Sequence, residues 1–177
     1  MKKGNAGLLA LVTILLVPAL VWAQAQPKTK TAPKGMTLKV KLNYTGAGAV
    51  DEKHKVYVLV CDADPFAAER LEEYSGKPEP KPVASASGQT QKVAHILQRQ
   101  GAVAKDGTVT FEKLPVSPVY AVAFYDKAGL YDGHADPASG SSMGQYGATP
   151  NKPDPIKLQA GKPTQVEVKF DDATKTP

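Results

Sequence analysis

Between Met36 and Asp172, apolar residues recur at every second position in short runs, and Gly or Pro interrupts each run before a helical period can develop. Leu38, Val40 and Leu42 alternate with polar residues, the mark of a strand with one face in a core and one in water. Val56 to Cys61 is apolar at successive positions, which predicts a central strand covered on both faces. Val93 to Gln98, Thr108 to Phe111, Val119 to Tyr125, Ile156 to Leu158 and Gln165 to Phe170 continue the series, with Val103 in a further short piece. The turns between them are written in Thr45 to Ala49 and in Asp106-Gly107. About seven short strands at this spacing predict an all-β protein, an antiparallel β-sandwich. One segment breaks the pattern. Asp64-Pro65 has the form of a helix N-cap followed by proline at the first helical position, so Phe66 to Tyr74 is expected as one short inserted helix. Three prolines in Ser75 to Pro82 then predict an irregular connection.

The flanks have a different composition. Lys2 and Lys3 precede an uncharged apolar run from Gly7 to Val17; Pro18 breaks it and Val21-Trp22-Ala23 supplies small residues, the layout of a signal peptide over residues 1–23. Cleavage is expected after Ala23, with Ala23-Gln24-Ala25 as a second cut, which places the product outside the cytoplasm, secreted or periplasmic, with no membrane span after cleavage. Residues 24–35, rich in Lys, Thr, Pro and Gln, are expected as a disordered linker, and residues 173–177 as a disordered tail around a domain at 36–172. The net charge of +5 belongs to these flanks: Lys2, Lys3, Lys28, Lys30, Lys34 and Lys175 leave 16 basic against 17 acidic residues in the domain. Only Arg70 and Arg99 are available there for bidentate phosphate or base contacts, so nucleic acid is excluded as a partner. The single cysteine, Cys61, rules out an intramolecular disulfide and is expected as a small buried hydrophobe.

The run Asp106-Gly107-Thr108-Val109-Thr110-Phe111-Glu112-Lys113-Leu114-Pro115, followed by Val119-Tyr120-Ala121-Val122-Ala123, resembles the transthyretin-like, carboxypeptidase regulatory-like sandwich family. Its members carry Asp-Gly, an alternating strand ending in Phe, a Leu-Pro corner and Gly-x-Tyr at the next strand. Here Ser117-Pro118 stands where that glycine falls, which changes the corner. Phe124-Tyr125-Asp126, Gly129 and Asp132-Gly133 are similar to a group of uncharacterised bacterial exported sandwich domains. The resemblance implies a transthyretin-like or Ig-like sandwich. It implies little about function, since such folds host carbohydrate binding, adhesion, scaffolding and regulation.

Residues 126–155 form a long Gly-, Ser- and Pro-rich stretch, and loops of this length commonly carry function. Asp126, Asp132 and Asp136 could supply oxygen ligands to calcium, although the spacing lacks the third and fifth ligands of an EF-hand-type loop. Tyr125, Tyr131, His134 and Tyr146 place aromatic and imidazole groups beside those carboxylates, the material of carbohydrate or peptide contacts. Gly140-Ser141-Ser142-Met143-Gly144 matches the G-x-S-x-G pattern in a context without the strand-to-helix elbow, and His54, His95 and His134 all precede the serine. No catalytic constellation assembles, and no cofactor other than calcium is indicated. The expected function is a non-catalytic exported binding or interaction module of the cell envelope, its partner an envelope protein or a carbohydrate. The alternative is a calcium-dependent carbohydrate-binding or carbohydrate-active domain using residues 126–155.

Overall fold

The computed structural model describes residues 35–76, 92–134 and 137–176. The leader and most of the linker expected over 1–35, the proline-rich connection from 77 onward and Asp136 lie outside the described residues. Eight strands are present: β1 (Met36–Tyr44), β2 (Val56–Cys61), β3 (Arg70–Glu73), β4 (Val93–Ala102), β5 (Thr108–Leu114), β6 (Tyr120–Tyr125), β7 (Met143–Gln145) and β8 (Thr164–Phe170). They form a three-stranded sheet in the order β5-β1-β8 and a five-stranded sheet in the order β3-β4-β2-β6-β7, a β-sandwich.

The sheets are mixed rather than wholly antiparallel. β1 pairs parallel with β8, Leu38 beside Thr164 through Tyr44 beside Phe170, and β3 pairs parallel with β4. Alternation reports which face of a strand is buried, and says nothing of its neighbour's direction.

The core forms where period two predicts it. Leu38, Val40, Leu42 and Tyr44 of β1 meet Val56, Val58 and Val60 of β2, Ala121, Ala123 and Tyr125 of β6 and Val166, Val168 and Phe170 of β8, with Phe111 and Leu114 of β5 closing one side. β2 and β6 also bury their opposite faces: Leu59, Cys61, Val122 and Phe124 form a second cluster under Tyr57, Phe66, Ile96 and Tyr131. The continuous apolar runs of these two strands follow from that double burial. Burial pushes the Cys61 thiol up to about 12, so it stays protonated and unreactive at neutral pH.

The expected helix is replaced by one turn and strand β3, and no helix occurs among the described residues. The Asp64 carboxylate does accept from the Phe66 N–H at 2.9 Å and the Ala67 N–H at 3.4 Å, as an N-cap would. Propagation stops because the next residues find backbone partners in β4: the Glu69 N–H donates to the Lys92 carbonyl, and Arg70 to Glu73 pair beside Val93 to Ile96. A tertiary strand partner outweighs a few tenths of a kcal/mol per residue of helix propensity. Among described residues no helix is long and apolar enough to cross a membrane.

At the Leu-Pro corner β5 bulges, since Met36 to Leu38 of β1 faces Phe111 to Leu114, and Lys113 takes φ 57°. The Ser117–Pro118 peptide beyond it is cis, and the Ser117 hydroxyl accepts from the Leu158 N–H at 2.8 Å.

Candidate functional site

Asp126 follows β6 and is 4% exposed. One carboxylate oxygen accepts from the Gly129 N–H and the other from the Tyr131 N–H, both at 2.9 Å. Both oxygens are spent on folding their own loop, the behaviour of an Asx turn. That loop delivers Tyr131 onto the second apolar cluster, edge-on to Tyr57 and Phe124 with ring centroids 4.6 and 4.8 Å away. The Tyr131 hydroxyl accepts from Arg99 Nη1 at 3.1 Å, and Arg99 is ion-paired with Glu73. Tyr125 points the other way, into the main core, stacked on Tyr44, its hydroxyl donating to the Ala49 carbonyl. Tyr146 packs against the same core. Asp132 is exposed and accepts from the His134 N–H at 2.8 Å. Thus the segment brings Asp126 and Tyr131 together, sets Tyr125 and Tyr146 against the core, and leaves Asp132 and His134 at its exposed tip. Among the described residues no three His, Cys, Asp or Glu side chains gather closely enough to hold a metal ion. His95 is the one buried histidine; its Nδ1 lies 2.7 Å from Asp62, whose other oxygen accepts from the His95 N–H.

The later part of the same stretch carries a second organisation that sequence spacing did not reveal. Ser141 and Ser142 are buried, and Met143 to Gln145 form β7 beside β6. Gly144 is required here: a Cβ would stand 2.4 Å from the Phe170 side chain, so only glycine lets β7 close over β8. Ser142 donates its hydroxyl hydrogen to Asp172 and accepts from Lys175 Nζ at 2.9 Å. The Asp172 carboxylate also accepts from the Tyr44 hydroxyl and the Ala47 N–H, each at 2.8 Å. With Ser142 first among its donors, that carboxylate is held far below the usual range. Burial, with the Asp172 hydrogen bond second, raises the Tyr44 phenol. Residues 173–176, expected as a free tail, are thereby drawn in: Met143 donates to the Thr174 carbonyl, Thr176 to the Ser141 carbonyl, and Thr176 is buried. The G-x-S-x-G match is therefore the anchor of a structural latch. Its serine is 3% exposed and its lysine neighbour is shared with a carboxylate, which leaves no free base at the hydroxyl.

Beside this latch lies a cleft of about 350 Å³ along β7, β8 and the turn at 147–151. Met143, Phe170 and Pro150 give it apolar wall, Asn43, Asn151 and Thr174 bring amide and hydroxyl groups, and Lys169 and Asp171 bring one charge of each sign. Asn43 lies on the outward face of β1, because its neighbours Leu42 and Tyr44 point inward. Asn151 holds φ 57°, a left-handed turn that asparagine tolerates. Gln145 is already used, its amide donating to the Thr149 carbonyl and bracing the turn. Comparison with known protein families, curated proteins and solved structures finds no match to this chain.

Proposed function

We propose that the protein is an exported, non-catalytic binding module that takes a neutral polar ligand, of the saccharide class, in the cleft between β7, β8 and the turn at 147–151. The observation that carries the reading is the cleft's lining: the amide and hydroxyl side chains of Asn43, Asn151 and Thr174 stand with the apolar Met143 and Phe170, and Lys169 and Asp171 add one charge of each sign. Amides and hydroxyls hydrogen-bond sugar hydroxyls, the exposed Lys169 and Asp171 add a donor and an acceptor, and an apolar wall suits the C–H face of a sugar ring. Export is supported by the basic start, apolar run and small-residue exit of residues 1–23. A scaffold stapled by long-range hydrogen bonds at its loop end holds such a cleft in one shape, which lowers the ordering cost of binding.

The test is a titration of the protein with a panel of neutral mono- and oligosaccharides by calorimetry and NMR. Asn151→Ala and Asn43→Ala should each weaken binding by about tenfold, the effect of about 1.4 kcal/mol for one lost hydrogen bond. Binding that neither substitution changes, or none across the panel, overturns the assignment of the cleft. Turnover of a sugar or ester that Asp126→Asn abolishes replaces the binding module with an enzyme.

A further inference from the structure

The two sheets have four edges, and three are blunted. At β5, the carbonyls of Thr110 and Glu112 face outward, and the side-chain amides of Gln100 and Gln98 on β4 donate to them at 2.8 and 2.7 Å. β7 is three residues long, and its outward Met143 N–H is taken by the Thr174 carbonyl. β3 has four residues, three of them charged. β8 is different: seven residues without proline or bulge, in unbroken register with β1.

The backbone direction along β8 follows from one bond. The Thr45 N–H donates to the Phe170 carbonyl, so Phe170 turns its polar backbone groups toward β1. By the alternation of a ladder Val168, Val166 and Thr164 do the same, and Gln165, Glu167 and Lys169 turn theirs outward. Among the described residues those outward groups have no backbone partner. A free, straight edge of this length is a template for another strand.

We propose that β8 pairs antiparallel with β8 of a second copy of this chain about a two-fold axis through Val168, joining the two three-stranded sheets into one of six. Two features of β8 select this occupant. The axis at Val168 sets Glu167 opposite Lys169 of the second copy, and both residues have outward backbone groups, so each such pair exchanges both N–H···O bonds. It also places opposite charges across the join twice, and leaves each Glu167 between Lys41 of its own chain and Lys169 of the other. Within one chain Glu167 already lies 3.3 Å from Lys41 and 3.4 Å from Lys169, so the anion is fixed on the sheet's outer face before association. Moving the axis by one residue to Glu167 would oppose Glu167 to itself, which like-charge repulsion disfavours. Edge pairing of so few residues buries a small area, so the dimer is weak and concentration-dependent. The inference does not rest on which ligand the cleft takes, although Lys169 belongs to both the paired edge and the cleft lining.

Sedimentation equilibrium on protein made from the full-length reading frame, from about 10 μM to about 1 mM, tests it over the range expected of a weak contact. The expected result is a monomer–dimer equilibrium. Glu167→Pro removes an N–H that faces the free edge and leaves the β1 ladder intact, so it should weaken association at least tenfold with the far-UV spectrum unchanged. Glu167→Lys and Lys169→Glu should each weaken it, and the double variant Glu167→Lys/Lys169→Glu should recover most of the loss. The three charge variants carry the test if the proline variant does not fold. A protein that stays monomeric at about 1 mM, a dimer unaffected by the folded Glu167→Pro variant, or a double variant no tighter than either single one overturns the proposal.

Discussion

Asp126 and Asp172 are two carboxylates at the same end of the sandwich, and each gathers hydrogen bonds, yet they work over different distances. Asp126 holds backbone N–H groups three and five residues ahead and shapes its own turn. Asp172 holds Tyr44, 128 residues away, together with Ala47, Ser142 and Lys175, and ties three separate segments into one latch. Asp126 is buried and Asp172 only partly so. A local carboxylate decides the shape of one loop, whereas a long-range one decides which loops meet.

The largest effect expected is at neither site and sets the scale for both. Phe111 is fully buried, so Phe111→Ala should cost about 3 to 5 kcal/mol in denaturant unfolding, and a loss near 0.5 kcal/mol would show that the core is not where the two sheets place it. Next comes Asp126→Ala, which strands two backbone N–H groups in a nearly closed site. At about 1.5 kcal/mol or more for each bond to a charged group, it should cost about 3 kcal/mol and free Tyr131 from its ring contacts, read as lost near-ultraviolet circular dichroism. An unchanged signal at Tyr131 would break the comparison, because Asp126 would then not be shaping the loop.

Asp172→Asn should lower the melting temperature by less than Asp126→Ala, and its signature is pH dependence. The folded carboxylate titrates below its unfolded value of about 3.9, so its contribution is present in full above that value and is lost as pH falls toward the folded one. Wild type and Asp172→Asn should therefore differ most at neutral pH and converge in acid. A gap that stays constant with pH would mean that the latch depends on shape and not on charge. The smallest effect expected is that of calcium. With both oxygens of Asp126 committed to backbone N–H groups, millimolar calcium should leave the melting temperature unchanged. A rise that Asp126→Asn with Asp132→Asn removes would make the loop a cation site after all.

What the chain determines locally was legible residue by residue. Alternation at Leu38, Val40 and Leu42 marked the buried face of β1, a continuous apolar run marked β2 as doubly covered, and Asp106-Gly107 and the Leu-Pro corner marked the ends of β5. These features rest on side-chain period and turn chemistry, which act over a few residues. The same local logic placed a helix at Phe66 to Tyr74, where a parallel partner in β4 prevailed, and treated residues 127–155 as one loop, where β7 closes over Phe170 through Gly144. Strand direction, the Asp172 latch, the ordered residues 173–176, the cleft beside Asn43 and Asn151 and the open edge of β8 were decided only in three dimensions. Each depends on groups far apart in the chain, and side-chain periodicity carries no information about which distant backbone will supply the missing hydrogen bond.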